Sequence, residues 1–217
     1  MEEFKQRDIY IGVDLSTSGA IVATQGSKII DVLKYPKPEY DKKAESFIDT
    51  KIKLLEQQEK SKTKIKALKA EKKLLKRRAV RSYKSIYDFI NKYKDEIAGV
   101  ILEEPLKQMG GFATSADSIA SNFTTLGVYT AILSVLQIPY QLYSPLEWHK
   151  ILGFYDEIPK GLSAKERRVI IKEISIKKCQ DVFINADEFI LPKGHKKIDD
   201  NICEAALLSL VSRFDNN

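Results

Sequence analysis

Short apolar runs rich in β-branched residues stand at 8–13 (Asp-Ile-Tyr-Ile-Gly-Val), 20–24, 28–33, 97–102 and 139–143. Runs of this length, bounded by turn residues, predict strands. The first three are separated only by Leu15 to Gly19 and by Gln25-Gly26-Ser27, so they predict an antiparallel meander. Tyr35-Pro36-Lys37-Pro38 ends it. From Glu39 to Ala98 no Gly or Pro interrupts the chain, and Ala, Leu, Lys, Glu and Gln dominate much of it, which predicts helix. One straight helix of about 60 residues would span roughly 90 Å, longer than a domain of this size is wide. A break between Gln57 and Thr63, where apolar residues lapse, turns it into a hairpin. Ile65, Leu68, Leu75 and Ala79 then mark a narrow buried stripe, and Tyr83 to Tyr93 returns to the core. Further helices are expected over Ser115 to Leu136, over Pro145 to Ile151 with Ser144 as N-cap, over Ala164 to Lys178 capped by Ser163, and over Asp199 to Arg213. This order of elements describes an α/β fold, a mixed five-stranded sheet flanked by helices.

Composition narrows the class. The 217 residues are 43% hydrophobic, enough to build a core and to exclude global disorder. No stretch reaches the roughly 18 apolar residues of a membrane span, and Met1 to Tyr10 lacks the order of a signal peptide. Cys179 and Cys203 are too few for a disulfide framework, so a reduced, cytoplasmic protein is expected. The net charge of +6 is unevenly spread. Lys51 to Lys94 holds 16 Lys/Arg against 4 Asp/Glu, while the remainder holds 20 basic and 26 acidic residues. A basic arm on an acidic body points to an anionic polymer as partner, nucleic acid first. The expected organisation is one domain over 1–217 with 41–94 as a basic helical insertion.

Three acidic elements stand where chemistry would use them. Asp14 ends the first strand in an apolar context. Glu103 ends the fourth strand after Val100-Ile101-Leu102. Asp200 and Glu204 are four apart at the start of the last helix and share one face. Strand ends converge on one sheet edge, and a helix N-terminus can reach that edge. Magnesium takes oxygen ligands and few carboxylates, and two such ions about 4 Å apart can activate a water and stabilise a phosphodiester leaving oxygen.

The runs Ile11-Gly12-Val13-Asp14-Leu15-Ser16 and Val100-Ile101-Leu102-Glu103-Glu104-Pro105 resemble those of RuvC-type Holliday-junction resolvases, in the ribonuclease H-like superfamily, and most of all their compact phage and viral forms. Ser115 to Leu126 with Gly127 resembles the family's helix after its flexible loop. Ile138-Pro139-Tyr140, with Tyr143-Ser144-Pro145-Leu146-Glu147-Trp148-His149-Lys150, resembles its next strand and basic helix, and Lys196 to Leu208 its closing acidic helix. The resemblance omits roughly Asp41 to Lys94. It implies a magnesium-dependent endonuclease, with manganese as substitute, cutting four-way or other branched DNA as a homodimer. The metal ligands it implies are Asp14, Glu103, Asp200 and Glu204. The family's last acid is usually Asp, so Glu204 is a departure. The third ligand stays open among Asp200, Asn201 and Asp199, with Asp200 preferred. Asp199 and Glu104 otherwise support the site or stand on the surface.

The resemblance also gives Phe112, after Gly110-Gly111, a stacking role at a junction centre. Lys150, Lys165, Arg167, Arg168, Lys193, Lys196 and Lys197 are candidate phosphate contacts near the site. Lys72, Lys73, Lys76, Arg77 and Arg78 would extend that footprint along a duplex. Trp148 reads as core and His195 as a solvated loop histidine. Two rival readings remain. The turn Gly12 to Gly19 also resembles the phosphate loop of the actin and sugar-kinase-like ATPases, which need two copies of this fold. The other rival is a catalytically inactive junction-binding protein.

Overall fold

A computed structural model describes residues 7–16, 18–35, 42–57, 62–77, 83–105, 116–191 and 198–214. The chain divides into two compact units, Met1–Tyr35 with Ile86–Asn217, and Pro36–Ser85.

The first unit is built on a five-stranded sheet in the order β3-β2-β1-β4-β5. Its strands are β1 (Ile9–Val13), β2 (Ala20–Gln25), β3 (Lys28–Lys34), β4 (Ile97–Glu103) and β5 (Tyr140–Tyr143). β1, β2 and β3 form the expected antiparallel meander, whereas β1 pairs in parallel with β4 and β4 with β5. The sheet is therefore mixed and flanked by helices. β1 lies at its centre, with Ile9, Ile11 and Val13 fully buried. That is why this strand reads as a near-continuous apolar run. β3 is an edge strand, and one side chain closes part of that edge. The Asn185 amide donates to Ile29 O at 2.8 Å, and Ile29 N–H donates back to Asn185 Oδ1 at 3.0 Å.

Helix α3 (Lys84–Tyr93) buries Ile86, Phe89 and Ile90 at i, i+3 and i+4. Helix α4 (Ala116–Val135) buries Thr125, Tyr129 and Leu133, one per turn. Helices α5 (Pro145–Ile151) and α7 (Ala164–Val182) both start in capping boxes, Ser144 with Glu147 and Ser163 with Glu166. Two short helices, α6 (Phe154–Glu157) and α8 (Ala186–Ile190), have no counterpart among the elements expected from the sequence. Four or five residues are too few to display a 3.6-residue period.

Helix α9 (Asp200–Phe214) packs across β1, β2 and β4 and against α7. Ile202, Cys203, Ala205, Ala206, Leu207, Leu208, Leu210 and Val211 are all buried, so the helix is apolar almost all round. Its approach to β1 is set by Gly12. A Cβ built at Gly12 would lie 1.8 Å from Ala205 O and 2.6 Å from Ser209 N. Helix backbone rests directly on strand backbone there, which only glycine permits. One turn on, Ser209 Oγ meets Thr24 Oγ1 at 2.7 Å, satisfying two buried hydroxyls.

In the second unit, α1 (Lys42–Gln57) packs against α2 (Lys62–Arg77), so the long helical stretch is a hairpin. Ile48 and Ile52 are buried on α1, and Ile65 and Leu68 half-buried on α2. Leu75 and Ala79 lie outside the described side chains. Lys72 binds both oxygens of Asp49, at 2.8 and 2.7 Å, and Glu45 at 3.1 Å. Lys69 reaches Glu56 at 3.1 Å.

Gly12→Ala should cost about 3 kcal/mol or more, because the new methyl meets backbone that has nowhere to relax. Urea denaturation against the parent protein checks this. A loss below about 0.5 kcal/mol, the ordinary surface-substitution range, would mean that α9 is not seated on β1 in this way.

Candidate active site

The site grows out of one register. β1 and β4 run parallel, with Val13 opposite Leu102. The next residue along each is an acid, so Asp14, just past β1, and Glu103, the last residue of β4, stand side by side at the same level. Asp14 is 3% exposed. The turn after it folds back on its carboxylate: Ser16 N–H donates to Oδ1 at 2.8 Å and Ser16 Oγ to Oδ2 at 3.0 Å. Gly19 lets that turn close, since a Cβ there would lie 2.0 Å from Asp14 O. Glu103 receives Trp148 Nε1–H on Oε2 at 3.1 Å. Glu204 comes from α9, next to the Ala205 that sits on Gly12.

These carboxylates act on one another. Burial pushes Asp14 above its ordinary range, only partly countered by the Ser16 hydrogen bonds, with Asp200 adding to the rise. Glu103 is raised further, by burial first and then by the charges of Asp14 and Glu204. Glu204 is pushed up to about 8 by burial, Asp14 and Asp200, with Lys172 opposing. Four carboxylates from three elements thus share one field. Asp200, at the start of α9, pairs with Lys172 of α7. Asp199 instead faces Lys34, with Nζ 2.6 Å from Oδ2, and Asn201 donates to Asp199 Oδ1 at 3.3 Å. Of the three candidates for the third ligand, Asp200 is the one whose charge acts on both Asp14 and Glu204.

Among the described residues, no group of three or more His, Cys, Asp or Glu is already gathered closely enough to hold a metal ion. The donor set nevertheless fits a hard divalent cation: every group is a carboxylate, and burial with neighbouring negative charge makes Asp14, Glu103 and Glu204 costly to ionise without added positive charge. The neighbouring Cys203 does not join it. Its thiol is pushed far up by its hydrogen bond to Cys179 and by burial.

Three contacts are not readable from the sequence. Trp148 is expected as core; it is buried, and its indole N–H also holds Glu103. His149 stacks on Phe154 at 4.5 Å, and its buried Nε2 finds no hydrogen-bond partner among the described residues. Burial lowers its pKa to about 4, so it braces Trp148 as a neutral ring. Lys172 carries no motif that marks it, although it lies one turn beyond Arg168 on the same helix.

Of the candidate DNA contacts, Lys150, Lys165, Arg167 and Arg168 are exposed, the first on α5 and the rest on the N-terminal half of α7. Lys73 is exposed on α2, while Lys72 is held by Asp49 and Glu45. The side chains of Lys76 and Arg77, and all of Arg78, Phe112, Lys193, His195, Lys196 and Lys197, lie outside the described residues.

Among solved structures, the chain is similar to T. thermophilus RuvC in complex with Holliday junction substrate, with a TM-score of 0.50 at 9% identity, covering 96% of this chain and 94% of that one. A Thermus thermophilus RuvC structure gives 0.46 at 11% identity, covering 96% and 95%. The fold is thus ribonuclease H-like, of the RuvC kind. No protein-family model and no curated protein matches the sequence. No described helix is long and apolar enough to cross a membrane.

Stability should record the strain at this site. Below about pH 4.5 Glu204 is protonated in both folded and unfolded chains and contributes no difference. Between there and about pH 8 the unfolded chain releases the proton while the folded protein keeps it, so stability falls as pH rises. In EDTA, Glu204→Gln should therefore melt above the parent at pH 8, and the two should converge towards pH 4.5. Calorimetric melts across that range test this; identical pH slopes would remove Glu204 from the strained set.

Proposed function

We propose that the protein is a divalent-metal-dependent endonuclease acting on branched DNA, with the four-way junction as first substrate. The observation that carries this reading is the strand register that sets Asp14 beside Glu103, with Glu204 delivered by α9 at the Gly12 contact. Burying mutually repelling carboxylates at the end of a sheet costs stability and gives the fold nothing in return. A site for cations accounts for that cost. Asp14, Glu103, Asp200 and Glu204 would hold the metal, magnesium first and manganese as substitute. Bound there, a divalent ion supplies Lewis acidity for phosphodiester hydrolysis and lowers the pKa of water. The protein's own part is to fix the acids. Ser16 and Trp148 orient two of them, and the closing helix carries the other two.

The exposed basic residues of α5 and α7 support DNA as the substrate. The solved RuvC complex contains a Holliday junction, and paired nicks at a four-way junction call for two sites, hence a homodimer. Ser118 to Gln137 carries no charged residue, yet Phe123 and Val135 of α4 are 38% and 77% exposed. That uncharged stretch of helix, with apolar side chains exposed, supports pairing between two copies. The Lys-rich hairpin adds a second region for the phosphate backbone.

Cleavage of labelled four-way, three-way and linear DNA, in EDTA and in Mg2+, tests the activity. Cutting should require the metal and favour the branched substrates. Asp14→Asn should abolish cutting while leaving junction binding nearly intact, because the basic surface is untouched. Cleavage by Asp14→Asn near the parent's rate would refute the site.

Neutralising Lys73, Lys76, Arg77 and Arg78 together should weaken binding to every DNA structure. The plot of log affinity against log salt should flatten by about one unit for each phosphate no longer neutralised. An unchanged slope would make the hairpin a structural element.

A further inference from the structure

Lys172 stands in an unusual place for a surface lysine. Its stem rises from α7 with 55% of the side chain exposed, yet its ammonium pairs with Asp200, whose side chain is only 13% exposed. The charges of Glu204 and Asp14 also act on it. One cation therefore faces three of the four candidate metal ligands. Along α7, Lys165, Arg168 and Lys172 fall at i, i+3 and i+7, so they share one helix face. A row of positive charge leads down that face and ends at the carboxylates.

We propose that Lys172 is the resident cation of this site, neutralising Asp200 until a divalent ion binds and then turning to a phosphate of the DNA. The proposal rests on the metal-site reading and adds an order of events to it. An ammonium carries one charge and three donors on a flexible four-carbon stem. A divalent ion carries twice that charge and takes carboxylate oxygens directly. Asp200 would therefore exchange the lysine for such an ion. The stem is largely in solvent, so the released ammonium is free to swing along the row set by Arg168. It remains protonated throughout and transfers no proton. Its role is to neutralise a phosphate oxygen beside the acids, a fixed charge where negative charge builds up.

The test compares the parent with Lys172→Met and Lys172→Arg. Mg2+ and Ca2+ are titrated by calorimetry and by the fluorescence of Trp148, the one tryptophan in the chain, whose N–H touches Glu103. Loss of the competitor should tighten Mg2+ binding to Lys172→Met by about two- to fivefold, the worth of a partly exposed ion pair. At saturating Mg2+ the same variant should cut junctions about 10- to 100-fold more slowly in single turnover. Lys172→Arg keeps the charge, so its Mg2+ affinity should stay at or below that of the parent.

Unchanged or weaker Mg2+ binding by Lys172→Met would overturn the proposal and leave Lys172 a strut between α7 and α9. Tighter binding with an unchanged cleavage rate would overturn the turn towards phosphate. Failure of the nuclease reading is seen separately, in the parent. A parent that binds Mg2+ but cuts no branched DNA, with Lys172→Met still binding more tightly, supports the resident-cation role and rejects the activity. A parent that binds neither ion overturns both.

Discussion

Everything at the candidate site depends on how closely α9 lies against β1. At Gly12 the two backbones are nearly in contact, with no room for even a methyl group between them. Ala205 and Ser209, both small, form the helix side of that contact. A bulkier pair would hold the helix about a side chain further from the sheet, and Glu204 would leave the field of Asp14. The rest of α9 secures the approach through its buried apolar surface and the Thr24–Ser209 hydroxyl pair. Packing here is what brings the charges together.

The charges oppose that packing. Buried acids repel one another, and the fold tolerates them through a few oriented donors: the Ser16 backbone and hydroxyl on Asp14, and the Trp148 indole on Glu103. Lysines stand at the border, Lys34 on Asp199 and Lys172 on Asp200. Such a site is held in shape by hydrogen bonds to the ligands' own oxygens while its charge remains only partly compensated. The apolar core around Trp148 and Phe154 stiffens one wall of it.

Much of this was legible in the sequence because it is written locally. Ser144 and Ser163, each with Glu three residues on, announce helix starts without any tertiary knowledge. Asp14 and Glu103 stand out because each ends an apolar strand and neither has a local structural reason to be acidic. The contacts that complete the site are not local. Trp148 reaches Glu103 across 45 residues and Lys172 reaches Asp200 across 28. In isolation a buried tryptophan looks like core and a helix lysine like solvated surface, and both residues are that as well. Lys72 shows the same effect in reverse. It reads as one more positive charge in a basic run, yet Asp49 and Glu45 in the facing helix hold it.

The Asn185 amide that brackets Ile29 makes the sheet's outer edge depend on the chemical identity of one side chain. Its two ends do different work: the oxygen accepts the strand's N–H and the nitrogen donates to the strand's carbonyl. Spontaneous hydrolysis of that amide to a carboxylate would leave the first bond and replace the second with two oxygens facing each other. Breaking and inverting a hydrogen bond in this way costs about 1–3 kcal/mol, and the edge of β3 would open. A single deamidation event, far from the acids, would expose an unpaired strand to neighbouring molecules.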